Sequence, residues 1–221
     1  MVILIFFITF FNEMEGIGHD FDNIINNIIN DTKKTLNLLG SRLLDPDSNK
    51  GLTELSLQLL LFNNFIIKDF LDLEIEIEKS IEPGKRCDLY IKNKDNHILI
   101  IEIKYIKISY LEESRKSLNN DTTILEKHVL WDKINKNIEK MDDKEIFKLK
   151  RWSDFVKSTK EYNVDKYQTI GFIMETALNQ AENYSKILNT NDWRKKKQFK
   201  IHYMAIIGIG FNLMRSNIYD I

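Results

Sequence analysis

The chain has 221 residues, 43% of them hydrophobic and 29% charged, and its formal net charge at pH 7 is −1. This composition predicts one folded domain over residues 1–221, and so small a net charge gives no support of its own for a nucleic-acid partner. The single cysteine, Cys87, excludes an internal disulfide and is typical of a reducing compartment, so we expect an intracellular protein, cytoplasmic or nuclear.

The chain opens on an apolar run, MVILIFFITFF. This run is about half as long as the roughly 20 residues that a membrane-spanning helix needs, and it lacks the basic segment and cleavage site of a signal peptide. We expect it to pack on the domain or to extend from it, and we expect no membrane partner. A membrane anchor is the alternative.

Hydrophobic periodicity predicts the elements that follow. Apolar residues spaced as on one helix face predict a helix over 20–40, within an N-terminal extension of residues 1–50. Residues 52–71 predict a long helix that is mostly buried. In LEIEIEKS at 73–80, apolar and acidic residues alternate strictly, which is typical of a half-buried strand. The remaining predicted elements are strands at 86–93 and 97–108, a charged helical stretch at 111–163, a helix at 172–187 and a final strand at 200–211.

The hairpin formed by the second and third strands carries the most informative pattern. A turn centred on Asp95 places Asp88 opposite Glu102, and Glu102 shares a strand face with Lys104. The Cβ atoms of directly opposite residues lie about 4.5–5.5 Å apart, so two carboxylates there repel each other unless a cation lies between them. Mg²⁺ is the natural candidate, with Mn²⁺ as a substitute, because Mg²⁺ is held by one or two carboxylates, water and phosphate. A surface hairpin with an ordinary Glu–Lys pair is the alternative.

Two basic clusters follow in the second half of the chain, KLKRW at 148–152 and RKKKQFK at 194–200. Each is typical of a solvated protein surface. Contact with a phosphate backbone is the alternative, since Lys and Arg release counterions when they bind phosphates.

The hairpin sequence RCDLYIKNKDNHILIIEIKY resembles the core of the PD-(D/E)XK nuclease superfamily, and within it the small nuclease domains often attached to AAA-ATPase modules. The resemblance implies that Asp88 and Glu102 bind Mg²⁺ and that Lys104 acts on the attacking water. Many members carry another metal-binding acid on the first helix of the fold, and Glu54 matches it. An ordinary acid at a helix N-terminus, favoured by the helix dipole, is the alternative. Cys87 departs from the family pattern, which has proline before the first acid.

The helix at 172–187 adds a second point of resemblance. Gln180 and Tyr184 match a Gln and a Tyr, four residues apart, that many members carry on the helix after the third strand. The resemblance therefore makes both residues catalytic candidates. An ordinary pair on a helix surface is the alternative.

The resemblance also implies an architecture and an activity. The expected fold is α/β, a restriction-endonuclease-like core with a mixed sheet, in the order helix, three antiparallel strands, helix, strand. The core would span 52–110 and 168–211, with a helical insertion at 111–165. The implied activity is Mg²⁺-dependent hydrolysis of phosphodiester bonds in DNA, with a homodimer suited to cutting two strands. The chain has no ATPase phosphate-binding motif, so we expect it either to act alone or to recruit a separate ATPase as a partner. The alternative function is a catalytically silent module on this fold that binds nucleic acid or protein.

Overall fold

The computed structural model describes residues 21–39, 52–67, 73–117, 122–152, 167–190 and 199–221. This part of the chain forms an α/β fold with a mixed sheet. The apolar run at 1–11 and most of the basic cluster at 194–200 lie outside the described residues. No helix within the described ranges is long and apolar enough to cross a membrane.

The helices of the described residues agree with three of the predicted ones. Their bounds are α1 Phe21–Leu39, α2 Glu54–Ile67, α3 Glu112–Ser117, α4 Ile124–Ile138, α5 Asp143–Lys148 and α6 Ile170–Thr190. The predictions over 20–40, 52–71 and 172–187 are thus confirmed as α1, α2 and α6. The prediction that α2 is mostly buried was wrong for one face, since Leu55 and Ile66 are each 54% exposed.

The main sheet is mixed, as expected. Its strands are β1 Leu73–Glu82, β2 Lys85–Asn93, β3 His97–Ile106, β6 Lys200–Ile209, β7 Asn212–Arg215 and β8 Tyr219–Asp220. The spatial order is β1-β2-β3-β6-β7, and β8 pairs with β6. The first three strands are antiparallel, whereas β3 and β6 run parallel. A parallel pair needs a crossover, and the chain between β3 and β6, which includes α6, provides it.

Two predictions about strands needed correction. The strand at 200–211 is not the final one, because the chain turns at Gly210, whose φ is +57°, and adds β7 and β8. The stretch at 111–163 is not wholly helical, because β4 (Lys150–Trp152) pairs with β5 (Tyr167–Thr169) in a separate sheet. Strands of two to four residues are too short to show a hydrophobic period.

The turn between β2 and β3 fixes the register of the predicted hairpin. The side chain of Asn93 accepts hydrogen bonds from the backbone N–H groups of Asp95 and His97, and Asn96 has a left-handed φ of 63°. Asn tolerates this conformation better than most residues. Tyr90 therefore pairs with Ile100, as a turn centred on Asp95 requires.

The sheet is packed on both faces, and this packing positions α2 and α6. Leu99, Ile101 and Ile103 of β3 belong to one apolar cluster, while Ile98 and Ile100 belong to another. Successive side chains of a strand point to opposite faces, so the clusters cover the two faces of β3. Helix α2 contributes side chains to the first cluster, and α6 contributes to both. The Lys104 end of β3 therefore lies within reach of both helices.

Candidate functional site

The candidate site begins where β2 and β3 stop pairing. The last paired residues before the site are Leu89 and Ile101, and the next position along the register places Asp88 opposite Glu102. There, Oδ2 of Asp88 accepts a hydrogen bond from the backbone N–H of Ile103 at 2.6 Å. This hydrogen bond to the backbone of β3 holds the Asp88 carboxylate at the opening between the two strands.

The Glu102 carboxylate is almost completely enclosed, with 1% of the residue exposed. Its Oε1 accepts a hydrogen bond from Lys104 Nζ at 2.8 Å, whereas its buried Oε2 has no hydrogen-bond partner among the described residues. A buried polar atom without a partner is uncommon and costs free energy in the folded state. Oε2 is therefore available for a ligand.

The first turn of α2 brings Glu54 to the same place. Oγ1 of Thr53 accepts a hydrogen bond from the backbone N–H of Ser56, so Thr53 caps the helix and Glu54 is its first residue. An acid at a helix N-terminus is favoured by the helix dipole. Oε1 of Glu54 lies 3.5 Å from Nζ of Lys104, so the lysine ammonium contacts two carboxylates.

The burial of these acids changes their acid–base behaviour. Burial raises the pKa of Glu102, and the nearby charge of Asp88 raises it further. Burial also raises the pKa of Asp88, although the Ile103 N–H and Lys104 act in the opposite direction. Two carboxyls this close titrate as a pair, and the metal-free pair retains a proton near neutral pH. The pair therefore has too little positive charge around it to be fully ionised.

Lys104 keeps its charge, unlike the two acids. Burial alone lowers its pKa, but the charges of Glu102, Glu54 and Asp88 outweigh burial, so the pKa is raised overall. Lys104 is thus held protonated by its acidic neighbours.

The chemistry of this donor set fits a hard divalent cation. Within the described ranges, no group of three or more His, Cys, Asp or Glu side chains is arranged so that it could hold a metal ion as it stands. Nevertheless, Glu102 has a free buried oxygen, and Asp88 and Glu102 repel each other. Oxygen donors of this kind are those that Mg²⁺ and Mn²⁺ prefer. The residues fit such an ion, with Glu54 able to join if it leaves Lys104.

Gln180 and Tyr184 lie on α6 and are bonded to each other. Nε2 of Gln180 donates a hydrogen bond to Oη of Tyr184 at 2.9 Å. Both line a groove of about 660 Å³ that also includes Lys85, and Tyr184 packs against the cluster that contains Ile100. Among the hydrogen bonds of the described residues, none joins this pair to Lys104. The structure thus places the pair on the sheet face that carries Ile100.

The sequence analysis missed one acid of this region, Glu78. Ile77 pairs with Leu89 and Lys79 pairs with Cys87, so Glu78 lies opposite Asp88 on the other side of β2. The turn at Pro83-Gly84 was visible in the sequence, but it pairs Glu82 with Lys85, and the shift of register between Ser80 and Glu82 that brings Glu78 opposite Asp88 was not. The residue was overlooked because Glu78 continues the regular alternation of acids in β1.

Comparisons with protein-family models, with curated proteins and with solved structures find no match.

Proposed function

We propose that this protein is a Mg²⁺-dependent nuclease with a restriction-endonuclease-like fold, which hydrolyses phosphodiester bonds in DNA. The observation that carries the proposal is the meeting of Asp88, Glu102 and Lys104 at the open end of one hairpin. Two buried acids that repel each other, and one amine on the same strand, suit a site that binds a cation and activates water.

The acids would bind the ion, and Lys104 would act on the attacking water. Asp88 and Glu102, joined by Glu54, are the residues that would bind Mg²⁺, which polarises the phosphate and stabilises the leaving oxygen. Lys104 would orient the attacking water and accept its proton through Nζ. When the charges of Glu102 and Glu54 are neutralised, burial is left to lower the pKa of Lys104. Nζ then becomes a better proton acceptor.

The fold gives coarser support. Three antiparallel strands followed by a helix and a parallel strand are the order that the resemblance implies. DNA as the substrate rests on the resemblance, as do a homodimer for cutting two strands and a separate ATPase as a partner. A catalytically silent module would have no need of all three residues, and the set Asp88, Glu102 and Lys104 is intact.

A cleavage assay tests the proposal. Plasmid, linear duplex, single-stranded and branched DNA, with a single-stranded RNA beside them, are incubated with the protein in Mg²⁺, in Mn²⁺ and in EDTA. We expect metal-dependent cleavage of at least one DNA substrate. Cleavage of RNA alone would show that the substrate is RNA and not DNA. Binding without cleavage under any condition would favour the silent module.

A further inference from the structure

The groove beside α6 is lined by hydrogen-bond donors and cations. Its side chains include the amides of Asn179, Gln180 and Asn183 and the ammonium groups of Lys85 and Lys186, and no carboxylate of a described residue lines it. Lysine charges and neutral amides are groups with which proteins contact the phosphate oxygens of nucleic acids. The lining of this α6 groove thus suits an anionic ligand that carries phosphate oxygens.

Three exposed donors of the α6 groove form a row along the helix. Asn179, Asn183 and Lys186 are spaced by four and three residues, so they share one helix face over a length of about 10 Å. The amides of the two asparagines make no hydrogen bond with other described residues. At about 3.4 Å per nucleotide along a B-form strand, this row corresponds to about three successive phosphates. A row of this length therefore fits a nucleic-acid strand better than it fits a single phosphate group.

The two lysines of the groove are held only by ion pairs near the surface. Nζ of Lys186 lies 2.7 Å from the carboxylate of Glu182, and Nζ of Lys85 lies 3.1 Å from that of Glu82. Such exposed pairs contribute little, because water competes with them and salt screens them. Arg86, the exposed neighbour of Lys85, forms no ion pair with a described residue. These cations can therefore exchange their present surroundings for phosphate groups.

The α6 groove opens on the sheet face to which the charged residues of the candidate site belong. Tyr184 of its lining packs against the apolar cluster that contains Ile100. Because β3 pairs with β6 without interruption, its side chains alternate, and Glu102 and Lys104 lie on the same face as Ile100. Lys85 begins β2, at the edge of the sheet where the antiparallel β3 ends. A strand bound in the groove would therefore run along the face that carries the site.

We propose that the α6 groove, through Lys85, Asn179, Asn183 and Lys186, binds the phosphodiester backbone of the nucleic acid on which the site acts. This inference rests on the proposed function, because it concerns the substrate of that same site. It assigns a role to side chains that the family resemblance does not supply. Contacts with phosphates carry no sequence information, so the groove holds strands of any sequence.

Binding of fluorescein-labelled single-stranded and duplex DNA, measured by fluorescence anisotropy in EDTA, tests the inference separately from cleavage. Lys186→Gln should weaken binding about five- to eightfold at 0.1 M salt, because the loss of one phosphate contact lowers the salt dependence, the slope of log K against log salt, by about 0.7–0.9. Lys136→Gln is the matched control. Lys136 is also exposed and also pairs with an acid four residues before it, but on α4, so this variant should bind DNA like the wild type.

A second pair of variants tests the row of amides. Asn183→Asp should weaken DNA binding more than Asn183→Ala, because its carboxylate repels phosphates whereas alanine only removes the amide. Asn63→Asp is the control, since it adds the same charge at an exposed asparagine of α2, a helix that packs on the other face of the sheet. It should bind DNA like the wild type.

Three results would contradict the inference. If Lys186→Gln and Asn183→Asp bind DNA like the wild type while the wild type cleaves it, the inference is wrong and the proposed function stands. Equal weakening in Lys136→Gln and Asn63→Asp would assign the effect to the overall charge of the protein and not to the groove. If the wild type neither binds nor cleaves any nucleic acid, both the inference and the proposed function are wrong.

Discussion

Nζ of Lys104 lies 2.8 Å from Oε1 of Glu102, two residues before it on the same strand. Glu102 is 1% exposed, and the Lys104 side chain is 26% exposed, so the ion pair lies at the boundary between the core and solvent. Removing either partner leaves the other poorly compensated. The pair thus combines a charge that needs a cation with an amine that solvent can reach.

Divalent cations should raise the melting temperature of the wild-type protein, because an ion that binds the folded site has no equivalent site in the unfolded chain. At 100 times the dissociation constant, the stabilisation is about 2.7 kcal/mol, or roughly 5–10 °C for a chain of this size. Asp88→Asn should reduce this rise and increase metal-free stability slightly. Its amide oxygen can still accept the hydrogen bond from Ile103, but the repulsion of Glu102 is lost.

Thermal melts with and without millimolar Mg²⁺ or Mn²⁺ measure this effect. Asp132→Asn is a suitable control, because Asp132 is a partly exposed acid paired with Lys136 on α4. Equal metal-induced shifts in Asp88→Asn and wild type would contradict the assignment of Asp88.

The stability of the metal-free protein should fall as the pH rises through neutrality. The pKa of Asp88 is raised from 3.8 to about 6 and that of Glu102 from 4.5 to about 8. Between the ordinary and the raised values, the folded chain binds more protons than the unfolded chain, so the free energy of unfolding decreases with pH. Each group contributes at most about 1.4 kcal/mol per pH unit.

Denaturant titrations of Glu102→Gln at several pH values check this slope. We expect the variant to be less sensitive to pH than the wild type between about pH 5 and 8, because the group with the larger shift no longer titrates. Glu82→Gln, at an exposed acid of β1, should keep the wild-type slope. A Glu102→Gln protein with an unchanged slope would show that Glu102 titrates normally.

Gln180 and Tyr184 should contribute less to cleavage than the charged residues. Each takes part in one neutral hydrogen bond, which is worth about 0.5–1.5 kcal/mol, or roughly three- to tenfold in rate if it acts in the transition state. We expect Gln180→Ala to lower the rate more than Tyr184→Phe, since it removes both hydrogen-bonding groups of the side chain. Single-turnover rates measure the order. Rates equal to wild type in both variants would assign the pair to helix packing.

Gly208→Ala should destabilise the protein through the contact between β6 and α2. A Cβ at this position would lie 2.7 Å from Leu57 Cδ2 and 2.9 Å from Tyr105 Cδ2, so the side chains of Leu57 in α2 and of Tyr105 would have to shift. Overpacking of this kind costs about 1–3 kcal/mol. Because α2 carries Glu54, metal binding should weaken as well.

Melting curves and Mn²⁺ titrations of Gly208→Ala test both effects. Gly171→Ala is a milder comparison, since the added methyl group would lie 3.3 Å from the backbone oxygen of Phe147, a tight contact that needs a smaller shift, and alanine favours a helix. Wild-type stability in Gly208→Ala would mean that α2 adjusts without cost.

The sequence predicted the hairpin register because its turn has a recognisable centre. Asn93 and Asn96 favour the turn around Asp95. A turn centred there sets a single register, in which the polar end of β3 meets Asp88. Long elements such as α1 and α6 were predicted for a similar reason, since their period repeats over several turns.

Other features leave no signal in a single sequence. The strands Lys150–Trp152 and Tyr167–Thr169 meet only through tertiary packing. The left-handed backbone of Glu78 is equally invisible, because Glu is not a residue that marks such a conformation. The direct bond between Gln180 and Tyr184 depends on side-chain rotamers, which a single sequence does not show.

The most direct test of the account compares Lys104→Ala with Lys92→Ala, whose lysine pairs with Glu74 on the surface of the same hairpin. DNA cleavage and Mn²⁺ binding are measured on both variants and the wild type. Proton transfer by a positioned side chain is worth about 10²–10⁴ in rate. We expect Lys104→Ala to lose at least about 100-fold in cleavage while still binding Mn²⁺, and Lys92→Ala to match the wild type. Cleavage by Lys104→Ala at the wild-type rate would show that the chemistry occurs elsewhere.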